Sequence, residues 1–229
     1  MTEITTDTDA LTKLLTTEGM DILDIGSGDG NLVRFLTKQG ATLTGLECGA
    51  AQLEAAKSYA LVGEEAYVEG VAQQLPFADN SFDISIFFNS LHHVPVEYMP
   101  VAIAEAERVT RPKGMIYVAE PIAAGSGYEF SAPIDDEATV RAVAYDCVQN
   151  AIAAGLTSVC EIFYDTVYHY RDFEAFKEEM IRIDPTRLVP FETMETDLQI
   201  AFNRLGILDE RGIRFDQPMR VNLLTTHRI

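Results

Sequence analysis

The stretch Asp21-Ile22-Leu23-Asp24-Ile25-Gly26-Ser27-Gly28-Asp29-Gly30-Asn31-Leu32 decides the fold. Ile22, Leu23 and Ile25 form a short apolar run with β-branching, the pattern of a strand covered on both faces in a parallel sheet. Gly26, Gly28 and Gly30 follow at alternate positions, where the missing Cβ permits positive φ and close approach of a ligand. The turn opens into a helix from Asn31 to Lys38, whose first amides can receive a carboxylate or a phosphate. Asp24, two residues before the first glycine, discriminates between those anions. A carboxylate there repels a pyrophosphate and suits an ammonium group, so a zwitterionic amino-acid moiety fits, with its amine near Asp24 and its carboxylate facing the loop amides. A tight turn in an α/β protein that binds no ligand is the competing reading.

Working outward, Ala41 to Glu47 reads as a second short strand and residues 50 to 60 as a helix. Glu47 ends that strand 21 residues after Gly26 and one strand over from the glycine turn, where an acid can accept hydrogen bonds from both hydroxyls of a ribose. A surface acid near a helix start is the alternative. Residues 66 to 69 form a third strand and Phe82 to Asn89 a fourth, nearly continuous in apolar residues, with Asn89-Ser90-Leu91-His92-His93-Val94 as its exit. The carboxyl ends of strands one and four flank the switch in strand order at which ligands bind in parallel sheets. An imidazole of this loop can take a proton from an acceptor or cap the following helix. Apolar residues at 99, 103, 106 and 109 give a helical face, which Arg111-Pro112-Lys113-Gly114 ends before a fifth strand from Met115 to Glu120.

The pattern D-x-G-x-G-x-G from Asp24 to Gly30 resembles the first motif of the class I methyltransferases that use S-adenosylmethionine, and departs from the dinucleotide fingerprint G-x-G-x-x-G. The segment Gly70-Val71-Ala72-Gln73-Gln74-Leu75-Pro76-Phe77, followed by Ser81-Phe82-Asp83, is similar to the type 11 group, which includes the C-methyltransferases of quinone biosynthesis. The resemblance runs from about residue 20 to 121. It implies a Rossmann-like, seven-stranded, mostly parallel sheet of order 3-2-1-4-5-7-6 with strand 7 antiparallel, helices on both faces and a helical cap insertion. It also implies a cofactor-binding set of Asp24, Gly26, Ser27, Gly28, Gly30, Glu47, Cys48, Val71, Ala72, Gln73, Asn89 and Ser90. Val71 stands where the family has an acid for the adenine amine, so that amine needs another acceptor, with Gln73 the candidate. His93 is the candidate base and His169 a distant second.

The whole chain is expected to be a single domain, with 20–121 as cofactor core, 122–158 as a cap over the acceptor and 159–229 supplying the last strands and helices. A strand over 157–170, helices over 171–183 and 192–205, and a strand over 212–226 with Pro218 at a bulge or edge complete the reading. The function expected is methyl transfer from S-adenosylmethionine, yielding S-adenosylhomocysteine, to a small-molecule acceptor. An NAD-dependent oxidoreductase and a non-catalytic S-adenosylmethionine-binding module are the alternatives.

Composition bounds the partners. The formal net charge is -19, with no basic segment set apart, which disfavours nucleic acid and anionic membrane surfaces. No apolar run approaches the roughly 18 residues that span a bilayer, and the acidic, Thr-rich start is unlike a signal peptide. Cys48, Cys147 and Cys160 are odd in number and far apart, which fits a reducing cytoplasm. Asp135-Asp136-Glu137 is read as helix-start acidity, and no metal site is expected. A monomer or a homodimer is expected.

Overall fold

The computed structural model describes residues 4–226. In chain order, the elements are α1 (Asp7–Leu14), β1 (Asp21–Ile25), α2 (Asn31–Lys38), β2 (Thr42–Glu47), α3 (Ala50–Ser58), β3 (Ala66–Glu69), β4 (Phe82–Phe88), α4 (Met99–Val109) and β5 (Thr110–Pro121). The second half adds α5 (Gly125–Ser131), α6 (Ala138–Ala154), β6 (Thr157–Tyr170), α7 (Phe173–Ile183), α8 (Leu188–Leu205), β7 (Ile207–Asp209) and β8 (Gly212–Thr225).

β1 is buried from Ile22 to Ile25, as its unbroken apolar run requires. It pairs in parallel with β2 on one side and β4 on the other, which brings Asp24 opposite Gly45 and Ile86. The sheet order is β3-β2-β1-β4-β5-β8-β6, with β7 pairing antiparallel to β8. Strand order therefore reverses beside β1, and the carboxyl ends of β1, β2 and β4 meet where a ligand site is expected. Arg111 closes the opposite end of these strands, reaching Asp21 Oδ2 at 2.9 Å and Asp83 Oδ1 at 2.6 Å.

The expected 3-2-1-4-5-7-6 arrangement is present, with β8 in the place of the seventh strand. One strand more is found than expected, the three-residue β7, too short to leave a period in the sequence. β8 lies inside the sheet rather than at an edge, and the Pro218 carbonyl accepts from Ile122 N and Gln217 Nε2, each at 2.8 Å.

The chain divides into two compact units. The larger comprises Thr8–Glu120, Val140–Ile162 and the end of β8 from Arg220. Its core joins Leu23, Phe87, Met99 and Ile116 to Ala144, Cys147 and Val148 of α6. The apolar face of α6, expected within a cap, is short-chained and packs in the core of this larger unit. The smaller unit comprises residues 4–7, Pro121–Thr139 and Phe163–Met219. It is built on aromatic packing, with the Phe130 ring 4.5 Å from Phe176 and 5.1 Å from Phe215. At the start of α6, Asp136 Oδ1 accepts from Ala138 N at 3.0 Å, and Asp135 pairs with Arg187 at 2.7 Å. These acids thus serve a helix start and an ion pair.

Candidate active site

A cavity of about 660 Å³ lies across the exits of β1, β2, β3 and β4 in the larger unit. From the β1 turn it is lined by Gly26, Ser27 and Gly28, and from the β2 exit by Leu46, Glu47 and Cys48. Gly70, Val71, Ala72 and Gln73 close the β3 side, with Gln52 of α3. Asn89, Ser90, His93, Val94 and Pro95 form the β4 side. The sequence-predicted set is thus brought together except for Asp24, Gly30 and His169.

The β1 turn is tight for stated reasons. Gly26 has φ +80°, and a Cβ there would sit 2.6 Å from that of Ser90, whose Oγ donates to Ile25 O at 2.5 Å. Gly28 has φ +55° and faces open space. Its amide donates to Glu47 Oε2 at 2.8 Å, while Glu47 Oε1 accepts from Gly49 N at 2.7 Å. Gly26 N and Ser27 N both donate to Leu46 O. The amides of Gly26, Ser27 and Gly28 are therefore engaged within the protein. Glu47 is aimed by two amides and keeps further lone pairs for a ligand hydroxyl.

Gly30 does not line the cavity. It caps α2 at φ +80°, and a Cβ there would meet the Tyr67 ring and hydroxyl at 2.6 Å, so this glycine serves packing against β3. Asp24 is 1% exposed and lies outside the lining. Its Oδ1 has no hydrogen-bond partner, and burial, with the Glu47 charge second, pushes its carboxyl up to about 7. Ser27 Oγ and Asn89 Oδ1 are likewise buried without partners. Asn89 holds φ +54°, a left-handed conformation that asparagine tolerates better than most residues. Three unspent polar atoms beside one cavity call for an outside donor or acceptor, since leaving each buried and unpaired costs about 1–3 kcal/mol.

The two histidines of the β4 exit separate in role. His92 is 5% exposed, and its Nδ1 pairs with Glu120 Oε2. Glu120 Oε1 also accepts from Leu91 N at 2.9 Å, so this buried acid at the end of β5 clamps the loop. His93 is exposed, faces the cavity and lies with its ring centroid 4.0 Å from that of His92. His169 is elsewhere: on β6 in the smaller unit, its Nε2 lies 2.9 Å from Asp209 Oδ2, and that contact lowers the Asp209 carboxyl. Its partner Asp209 comes from β7, the unforeseen strand, and the pair does not line the cavity. Sequence reasoning also missed Gln52, whose place in the first turn of the helix after the Glu47 strand was the available signal.

Residues 23–118 match the family described as methyltransferase domain. That segment, less than half of the chain, is similar to the methyltransferase domains of the type 11 group. A malonyl-[acyl-carrier protein] O-methyltransferase of Pectobacterium atrosepticum is 34% identical over 113 residues, 49% of this chain and 43% of that protein. The ubiquinone/menaquinone biosynthesis C-methyltransferase UbiE of Paracoccus denitrificans is 36% identical over 109 residues, 45% of this chain and 43% of its own. The match thus spans less than half the length of either relative. The crystal structure of the YcgJ protein from Bacillus subtilis superposes with TM-score 0.65 at 17% identity, covering 97% of this chain and 98% of that one. A putative methyltransferase from Bacillus halodurans gives TM-score 0.64 at 16% identity, covering 97% and 99%. The fold of these two structures is thus shared over almost the whole chain. Among the described residues, no helix is long and apolar enough to cross a membrane.

Proposed function

We propose that the chain transfers the methyl group of S-adenosylmethionine to a small-molecule acceptor. The observation that carries this reading is the buried, unpartnered Asp24 behind the β1 turn together with Glu47 in the wall of the same site. An ammonium group satisfies the first acid and a ribose diol the second. A pyrophosphate beside an ionised Asp24 meets repulsion, which speaks against the NAD alternative. Ser27 Oγ and Asn89 Oδ1 offer further polar contacts to the amino-acid portion.

The bound cofactor supplies an electrophilic methyl on a sulfonium sulfur. The protein's part is to hold an acceptor atom in line with the breaking carbon–sulfur bond and to exclude water, an alignment worth about 7–11 kcal/mol in favourable intramolecular reactions. The acceptor lone pair forms the new bond to carbon, and the electron pair of the broken bond stays on sulfur. An acceptor proton, where there is one, leaves to solvent or to His93 at the cavity mouth. The free thiols Cys48, Cys147 and Cys160 suit a reducing cytoplasm.

Calorimetric titration with S-adenosylhomocysteine and with NAD tests the reading. Binding of the first, and consumption of S-adenosylmethionine with a panel of small hydroxyl, amine and carbon acceptors, is expected. Binding of NAD alone overturns it. Stabilisation by S-adenosylhomocysteine without turnover on any acceptor turns the reading to a binding module.

A further inference from the structure

The β2–β3 end of the cavity is where a nucleobase lies if Glu47 holds the ribose, so the assignment of this subsite rests on the proposed function. Its walls are apolar, from Leu46, Val71 and Ala72. Its polar side chains include two carboxamides, Gln52 from the first turn of α3 and Gln73 from the turn closed by Gln74 N donating to Val71 O at 3.1 Å. Among the described residues no protein hydrogen bond is found for either carboxamide. The carboxylate within this part of the lining is Glu47, and both its oxygens are already aimed by the Gly28 and Gly49 amides.

We infer that the base subsite reads a purine edge through neutral, rotatable carboxamides, and so accepts a 6-oxo purine nucleoside nearly as well as a 6-amino one. The physical reason is the donor inventory. A carboxylate only accepts, so it favours an exocyclic amine and repels a carbonyl at the same place. A carboxamide presents its oxygen to the 6-amine or, turned by half a rotation, its NH₂ to the 6-carbonyl, and a second carboxamide turns likewise for N1, which accepts in a 6-amino purine and donates in a 6-oxo one. Val71, 39% exposed at the edge of the subsite, adds no charge that would select between them.

The test is calorimetric comparison of S-adenosylhomocysteine with its deaminated analogue S-inosylhomocysteine. The wild-type chain is expected to bind the two within about tenfold of each other. Val71→Asp introduces an acceptor-only group and is expected to shift the ratio at least tenfold toward adenine, while Gln73→Leu and Gln52→Leu weaken both nucleosides together. A wild-type preference for adenine above about a hundredfold overturns the inference, as does unchanged affinity for both nucleosides in both glutamine variants. Because the wild-type ratio is itself decisive, the proposal does not depend on any variant folding. Failure of the wild-type chain to bind either nucleoside overturns the methyltransferase reading and this one with it. Tight binding of S-adenosylhomocysteine alone overturns only the carboxamide readout.

Discussion

Asp24 sits at the end of a buried strand with Oδ1 unpartnered, and burial and the nearby Glu47 charge raise its carboxyl to about 7. The sign of the resulting linkage is fixed. With a folded value above the ordinary 3.8, the group's contribution to stability of the ligand-free chain is full below about pH 4 and is lost as pH rises toward 7. Ligand binding runs the other way, because only the ionised acid attracts an ammonium group. Affinity for S-adenosylhomocysteine is therefore expected to rise with pH, by at most about tenfold per unit below 7, and then to level off. Calorimetry from pH 5.5 to 8.5 checks this, with Asp24→Asn expected to bind more weakly and without the slope. A flat wild-type profile would remove Asp24 from the ligand's amine. Glu47→Ala strips the partner of the Gly28 and Gly49 amides as well as the proposed ribose acceptor, and a loss of at least tenfold, about 1.4 kcal/mol, is expected in the same titration. The positions of these two acids were legible in the sequence because each lies in the last two residues of a short strand fixed by local pattern. The Glu120–His92 pair was not, since its partners are 28 residues apart and nothing local tells which of two adjacent histidines turns inward.

At the scale of elements, the β1 turn and the segment after β3 are held by different means. Gly26 is forced by contact: at φ +80° and with Ser90 2.6 Å from where a Cβ would stand, Gly26→Ala must push β1 and the β4 exit apart. A stability loss of at least about 2 kcal/mol is expected in denaturant unfolding, combining left-handed strain with overpacking. Retained stability would mean that the Ser90 loop yields freely. The segment 75–79 is pinned by Arg108 of α4, which donates to Leu75 O at 3.1 Å, to Phe77 O at 2.8 Å and to Asp79 at 2.8 Å while gripping Glu105. Glu105 in turn accepts from Leu75 N at 2.9 Å. Arg108→Ala orphans two carbonyls and is expected to cost about 2 kcal/mol, with faster amide exchange confined to residues 71–80. Uniform exchange across the chain would argue against a local pin. The Leu75-Pro76-Phe77 signature was readable as a motif, but its anchor was not, because Arg108 lies a whole strand and helix away. The layer that α6 covers is hidden from the sequence for a related reason. A face of Ala144, Cys147 and Val148 gives the periodicity of a helix without indicating what it packs against.

For the whole molecule, the formal charge of -19 acts on the ligand as well as on the fold. The proposed methyl donor, S-adenosylmethionine, carries a sulfonium and an ammonium against one carboxylate, whereas its demethylated product is neutral overall. The acidic chain therefore attracts donor more than product, and the difference is electrostatic and screened by salt. The Debye length falls from about 30 Å at 0.01 M to about 8 Å at 0.15 M, so most of the distant acids drop out over that range while Glu47 and Asp24 at the site do not. Affinity for S-adenosylmethionine is expected to fall by about threefold to tenfold between those ionic strengths. Affinity for S-adenosylhomocysteine should change by less than about twofold. Parallel titrations of both nucleosides at the two salt concentrations measure the ratio directly. A ratio that does not move means the site feels only its own two acids. The remaining negative charge then acts on solubility alone, through repulsion between molecules.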